Sequence, residues 1–329
     1  MSFWVIGQTG LGEGTVRMVL LPQSPVLCVT LNPSWEIIHE APQWRRSELV
    51  RAARSWLVPG GKGVNVARAL QALGVPALCT GLLGREGHAC LVERLGQEGL
   101  HGRWFLVGGA ARVNVTIFDP QPQSELHAIG LGPYVRPDQW AGFCALFVEL
   151  LSQSGLVVIA GSAPRGVSPD EVAQLVHLAR ERDRPTIVDA SGTLLRRLLA
   201  AVPNGVKVNR QELAEALGAD VDQHPEKLLR EAARRYLEAP GSWLVMTDGE
   251  RPAWAIAGGR VASVAPPRVR VVQTVGSGDA FLAGLIWALR RECSLFEALR
   301  YGAAAGAAAC TGPVPAQISE KQLISLLTR

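Results

Sequence analysis

From Val26 onward the chain alternates two hydrophobic rhythms. Short, nearly unbroken apolar runs rich in β-branched residues fall at 26–32 (VLCVTLN), 77–84, 156–162, 186–190, 206–209 and 243–249. Runs of this length and composition predict strands buried on both faces. Between them, residues 64–73, 88–98, 138–152, 169–182 and 225–238 repeat their apolar positions at helical spacing, which predicts amphipathic helices. Strand and helix in alternation over such a length predict an α/β fold, a mostly parallel central sheet with helices on both faces. Sites in such folds lie beyond the carboxyl ends of the strands. The alanine-rich stretch at 303–310 (AAAGAAAC) reads as a tightly packed helix.

Two segments break the alternation. Residues 34–58 and 104–131 read as strands and turns with no helix between them, which predicts a small inserted β-sheet, a lid over the site. The expected division is therefore an α/β domain of residues 24–33, 59–103 and 132–329, a β lid of 34–58 and 104–131, and an N-terminal extension of 1–23. Within that extension GQTGLGEG imitates a dinucleotide-binding glycine turn. It is followed by a β-branched run broken at Pro22 instead of a crossover helix. A surface appendage or hairpin is expected there, with Met18 as an alternative start.

Composition narrows the class. Of 329 residues, 48% are hydrophobic and 19% charged, which excludes a disordered chain. The net charge of +4 comes without any long basic run, so nucleic acid is not an expected partner, whereas an anionic small molecule is. No apolar segment is long enough to span a bilayer, no signal peptide is read at the start, and no membrane partner is expected. Six widely separated cysteines form neither a C-x-x-C pair nor a zinc pattern, which fits a reducing cytoplasm. The six histidines show no metal or triad spacing.

Two glycine-rich stretches carry the candidate chemistry. In QTVGSGDAFLAG (273–284), Gly276, Ser277 and Gly278 lead into Asp279 and an apolar helix. Asp279 reads either as the N-cap of that helix or as an acid working on an anion or hydroxyl held by the free first-turn amides. In VPGGKGVNVARALQALG (58–74), Pro59, Gly60, Gly61 and Gly63 read as a turn before a helix that stops at Gly74. That turn is either a packing feature or a place of close backbone approach to a ligand, with Lys62 and Asn65 able to hold hydroxyls. It is not a phosphate-binding Walker loop, because Gly63 follows the lysine and Trp56 stands where the first glycine belongs.

Taken together, GGKGVNVARALQALG and TVGSGDAFLAG resemble the two signature segments of the PfkB/ribokinase superfamily of carbohydrate kinases. TLNPSWE (30–36), ARVNVTI (111–117), AGSAPRGVSP (160–169), VDASGTLL (188–195), VNRQEL (208–213) and TDG (247–249) extend the resemblance from Val26 to the C-terminus. The opening TLNP and the lead-in to GGKG are most similar to the 1-phosphofructokinase and tagatose-6-phosphate kinase branch. The resemblance implies a ribokinase-like fold and transfer of a phosphoryl group from ATP, with Mg2+, to a sugar-phosphate hydroxyl. Asp279 would act as base, and Gly276, Ser277 and Gly278 as the anion hole. Glu36, Gly60, Gly61, Lys62, Asn65 and Arg112 would bind the acceptor, Arg112 through its phosphate with help from Arg51 and Lys62. Lys207, Asn209, Thr247 and Gly249 would contact the nucleotide, and Glu212 would help to hold Mg2+ through water. Asn209 and Glu212 also form a plausible capping pair. Glu36 stands where the family usually has Asp, Gln273 where it often has an acid, Val208 for a common proline and Pro252 for a usual glycine. A homodimer paired through the lids is a family-level expectation. A non-catalytic sugar-phosphate or nucleotide sensor on the same fold is the reading of another class.

Overall fold

The structure is a computed structural model that describes residues 24–45, 48–120, 123–237 and 239–328. The expected appendage at 1–23, with its glycine turn and Met18, lies outside the described residues.

In chain order the elements begin with β1 (Val26–Val29), β2 (Ser34–Glu40), β3 (Arg54–Gly60), α1 (Lys62–Ala72), β4 (Ala77–Glu86), α2 (His88–Gln97) and β5 (His101–Ala110). β6 (Arg112–Pro120), β7 (Gln123–Ile129), α3 (Pro137–Leu151), β8 (Leu156–Ala160), α4 (Pro169–Arg180), β9 (Thr186–Asp189) and α5 (Gly192–Ala200) follow. The chain then runs through β10 (Gly205–Asn209), α6 (Arg210–Leu217), α7 (Pro225–Tyr236) and β11 (Trp243–Asp248). It ends with β12 (Arg251–Ala257), β13 (Arg260–Val264), α8 (Ser277–Leu289), α9 (Leu295–Ala309) and α10 (Glu320–Leu327).

Nine strands form one sheet in the order β13-β12-β11-β10-β9-β8-β1-β4-β5. β11 through β5 run parallel, and the hairpin of β12 and β13 adds an antiparallel edge. Side chains of each buried strand alternate between two cores. Val26, Cys28, Leu156, Val158 and Val245 face a core shared with α1, α8 and α9. Leu27, Val29, Val157, Ile159 and Leu244 face a core shared with α3 to α7. The continuous apolar runs of the sequence are thus strands covered on both sides. Among the described residues no helix is long and apolar enough to cross a membrane.

A separate four-stranded sheet, in the order β3-β2-β6-β7, stands over the carboxyl ends of the main strands. Its bounds differ from those expected. Residues 104–110 belong to β5, which extends the large sheet beside β4, with Leu82 opposite Phe105 and Leu83 opposite Leu106. The half-buried pattern of an edge strand is alike in either sheet, so periodicity alone did not assign it. Pro59 and Gly60 likewise end β3 instead of lying in a turn, so the change of direction falls at Gly61 alone. The antiparallel pair β12 and β13 was not expected.

Candidate active site

The helix that carries Asp279 starts one turn earlier than a capping role requires. Gly276, at φ +78°, is the N-cap of α8, and Asp279 is the third residue of its first turn. No side chain caps this helix, so the capping reading of Asp279 is not what the fold shows. Its buried carboxylate instead accepts a hydrogen bond from Asn65 Nδ2 at 2.8 Å. The amides of Gly278 and Asp279 have no acceptor within the helix and mark its positive end. At Gly276 glycine is demanded by backbone neighbours as well as by φ, whereas at Gly278 the neighbour is the end of a lysine side chain. A Cβ at Gly276 would lie 2.6 Å from the Ala316 backbone nitrogen, and one at Gly278 would lie 2.6 Å from Lys207 Nζ. The lysine ammonium therefore rests on the helix mouth.

Beneath it Asp189, the last residue of β9 and fully buried, takes one lysine on each oxygen. Lys62 Nζ donates to Oδ1 at 2.6 Å and Lys207 Nζ to Oδ2 at 2.8 Å. The topology makes this possible because β9 and β10 are parallel neighbours, while Lys62 opens α1 after the chain returns from the small sheet. Burial opposes ionisation of Asp189, but the two lysines outweigh it and hold its pKa below the ordinary aspartate value. Burial also disfavours the charge on Lys62, yet Asp189, Glu212 and Asp279 together raise its pKa. Asp279 responds the other way. Burial first, then the neighbouring Asp189 charge, push it up to about 6 against the pull of Lys62, Lys207 and the Asn65 amide. A carboxylate with that pKa is ionised at neutral pH and still basic enough to accept a hydroxyl proton.

Asn65 is itself oriented. Arg68, one turn along α1, donates from one terminal nitrogen to Asn65 Oδ1 at 2.9 Å and to the Pro315 carbonyl at 3.2 Å. Its other nitrogens reach Pro59 O at 2.6 Å and Glu98 Oε2 at 2.7 Å. With the amide oxygen committed to a cation, only Nδ2 can face Asp279.

Of the residues expected to bind the acceptor, Glu36 is buried on β2, where Oε1 accepts from Ser34 Oγ at 2.6 Å and Asn114 Nδ2 at 2.8 Å. The side chain lies across Gly60, where any Cβ would overlap its Cγ. Gly61, at φ +106°, caps α1 against Thr30. Arg112 pairs in register with Ser34, and among the described residues its buried Nε has no hydrogen-bond partner. Burial lowers its pKa while Glu36 pulls the other way. Arg51 is exposed. Lys62, expected with the acceptor, is committed to Asp189, with Glu212 also 3.5 Å away.

The residues expected on the nucleotide side end adjacent strands. Asn209 closes β10 opposite Thr247 on β11, whose hydroxyl donates to Val208 O at 3.4 Å, and Gly249 turns at φ +61°. The capping reading of Asn209 and Glu212 is realised. Asn209 Oδ1 accepts from Glu212 N, and Glu212 Oε2 accepts from Asn209 N, both at 2.8 Å. Glu212 Oε1 is left 3.5 Å from Lys62 Nζ. The Gln273 side chain bonds within its own turn, to the amide and carbonyl of Val275. Asp189, Arg68 and Asn114 were not singled out from the sequence. Their signals were an acid ending the apolar run TIVDA, an arginine inside the apolar stretch VARAL, and an asparagine alternating with valines.

A buried carboxylate at a helix N-terminus and two lysines converge from three segments of the chain, a set suited to moving a proton beside a group that gains negative charge. The profile of the pfkB family of carbohydrate kinases matches residues 34–321, and the chain belongs to that family. It is an ATP-dependent sugar kinase with a ribokinase-like fold. Among solved structures, Escherichia coli phosphofructokinase-2 in complex with potassium superposes with a TM-score of 0.83 at 27% identity, over 93% of this chain and 100% of that one. A possible 1-phosphofructokinase from Thermotoga maritima superposes at 0.82 and 26% identity, over 92% and 97%. A putative ribokinase from Agrobacterium tumefaciens shares the fold at a TM-score of 0.77 and 17% identity, over 93% and 97%.

Proposed function

We propose that the chain phosphorylates a hydroxyl of a ketohexose phosphate, with fructose 1-phosphate at O6 as the leading acceptor and fructose 1,6-bisphosphate as product. Two observations carry the reading together, the raised pKa of buried Asp279 and the partly unsatisfied guanidinium of Arg112. One group is poised to take a hydroxyl proton, and the other is a guanidinium with a spare donor on the sheet above it. Glu36, through the oxygen not engaged by Ser34, and Asn65 would orient sugar hydroxyls, with Gly60 and Gly61 allowing close approach. Asp279 takes the proton as the hydroxyl oxygen attacks the γ-phosphorus of ATP. The Ser277 amide, expected in the anion hole, is committed to the Thr274 carbonyl at 3.2 Å, so the amides of Gly278 and Asp279, at the mouth opened by Gly276, with Lys207 and Lys62, then stabilise the charge on the transferring group. Lys207, Asn209, Thr247 and Gly249 line the nucleotide side.

Among the described residues no three acids, histidines or cysteines cluster to hold a metal by themselves. That is compatible with Mg2+ arriving on the nucleotide. Glu212 fits it through water, because its Oε1 is not needed for the cap and is the hard donor such an ion takes. The ion's contribution is to neutralise phosphate charge. Closure of the small sheet would exclude water from the reacting groups.

The outer face of the small sheet presents Leu57, Val113 and Leu126, all exposed, with Leu57 in register with Ile37, Val113 with Trp35 and Leu126 with Ile117. A second copy of the chain is the proposed cover, checked by mass in solution against concentration. A cytoplasmic setting remains part of this proposal.

The direct test is ADP production with ATP and Mg2+ across fructose 1-phosphate, tagatose 6-phosphate, fructose 6-phosphate, fructose and ribose. A kcat/KM about tenfold higher for one phosphorylated ketose names the branch, tenfold being about 1.4 kcal/mol of transition-state discrimination. E. coli phosphofructokinase-2 has been solved with fructose-6-phosphate, which makes that sugar the first rival. Turnover of unphosphorylated sugars alone overturns the role of Arg112, and ligand binding without any turnover supports the sensor reading.

A further inference from the structure

The small sheet grips the loop that leads into α8 at alternate residues. Val272 packs on the apolar cluster of Ile38, Val58 and Phe118, together with Trp56 and Val314. Two residues on, Thr274 gives both of its donors to one carboxylate of β7. Its backbone N–H reaches Glu125 Oε1 at 2.9 Å and its hydroxyl reaches Oε2 at 3.0 Å. Phe118 and Glu125 are directly opposed in the β6–β7 register, so both contacts come from the same face of the small sheet. Two residues further is Gly276, wedged against Pro315 and Ala316, next to the Val314 of the same cluster. Residues 272, 274 and 276 are thereby pinned in turn. His127 steadies the carboxylate from its own strand, with Nε2 3.1 Å from Oε2 and Nδ1 3.2 Å from the Thr116 hydroxyl. Beside these contacts the two bodies part around a cavity of about 690 Å3, lined by Glu40, Arg54, Val272, Thr311 and Lys321.

We infer that Glu125 is a positioning residue of the phosphoryl-transfer site, fixing the 272–276 loop and through it the amides at the mouth of α8. The inference rests on the kinase reading and adds to it a physical link. The sheet that supplies Glu36 and Arg112 also holds the loop that sets the anion hole, so the hole is completed when that sheet is seated. A misplacement of this loop by an ångström removes donors from the charge they must meet.

The test is a cycle of Glu125→Ala, Thr274→Val and the double variant, with Glu125→Gln as a conservative partner. Removing the carboxylate should lower kcat about tenfold or more, with the KM for ATP within about twofold. It should also speed amide hydrogen exchange at 274–279 about tenfold while leaving 205–209 unchanged, which reports an intact fold. The double variant should be no worse than Glu125→Ala, and Glu125→Gln should recover part of the loss through one remaining acceptor. A kcat within twofold of the parent, unchanged exchange at 274–279, or losses that simply multiply would each overturn the inference. If the parent protein phosphorylates no acceptor, the exchange experiment still decides whether Glu125 holds the loop, while the kinase reading falls by itself.

Discussion

The two halves of the site are built to different standards. Around Asp279 every charged group in the interior is paired. Asp189 holds two lysines, Arg68 satisfies four acceptors, and Asn65 is left one way to point. On the small sheet, Arg112 keeps a buried nitrogen unpaired, and Glu36 is fastened through one oxygen only. The difference teaches which half of the site is closed on itself and which keeps polar atoms free for a ligand. Proton removal and charge stabilisation need donors that do not move during reaction. Acceptor recognition needs donors left vacant for the ligand, and an unpaired buried donor is a standing cost that binding removes.

Breaking the closed half should cost most. Asp279→Asn is expected to lower kcat by about 10^3-fold or more while ATP binding persists, checked by single-turnover kinetics and calorimetry. The same change should stabilise the fold at neutral pH. Native Asp279 has its pKa raised to about 6. The native state therefore holds its proton more tightly than the unfolded chain, and this stability is full below about pH 4 and lost as pH rises through about 6. The neutral amide escapes that loss, worth about 3 kcal/mol, so urea unfolding should show a gain at pH 7 that disappears near pH 4. In the parent enzyme kcat/KM should fall about tenfold per pH unit below about 6, as the base is protonated.

Asp189→Asn comes next. It leaves two lysines facing each other with no anion between them, so a loss of about 3 kcal/mol in stability and about 10^2-fold in kcat is expected. Chemical denaturation and steady-state rates separate the two effects. In the open half, Arg112→Ala should raise the KM for phosphorylated acceptors by about 10- to 100-fold and leave the KM for ATP alone. An equal effect on unphosphorylated sugars would remove its phosphate role. The smallest effect is expected for Glu36→Asp, which withdraws the carboxylate by about 1.5 Å from Ser34 and Asn114. Acceptor kcat/KM should change by less than about tenfold, with a reordering among ketose phosphates as the informative result.

Much of this was legible beforehand for a physical reason. Strands covered on both faces must be continuously apolar, and helices on a sheet must be striped, so the α/β layering was written in periodicity. The glycines at 276 and 278 also announced themselves, because a helix mouth that receives an anion excludes side chains. The N-cap reading of Asp279 failed because capping depends on which residue turns first. Gly276 does so, with a positive φ that no spacing rule reveals.

By itself the sequence determined the layers, the two glycine-rich segments, the acid that follows the second of them and the kinase family, all of which are local in the chain or recur as short motifs. Only the tertiary structure decided that β5 joins the large sheet, that Lys62 and Lys207 share Asp189, that Arg68 orients Asn65, and that Glu125 reaches Thr274. Each of these joins residues distant in the chain, and what holds them is the free energy of a buried charge or donor finding its partner. Such pairing depends on three-dimensional neighbours, which periodicity along the chain does not encode.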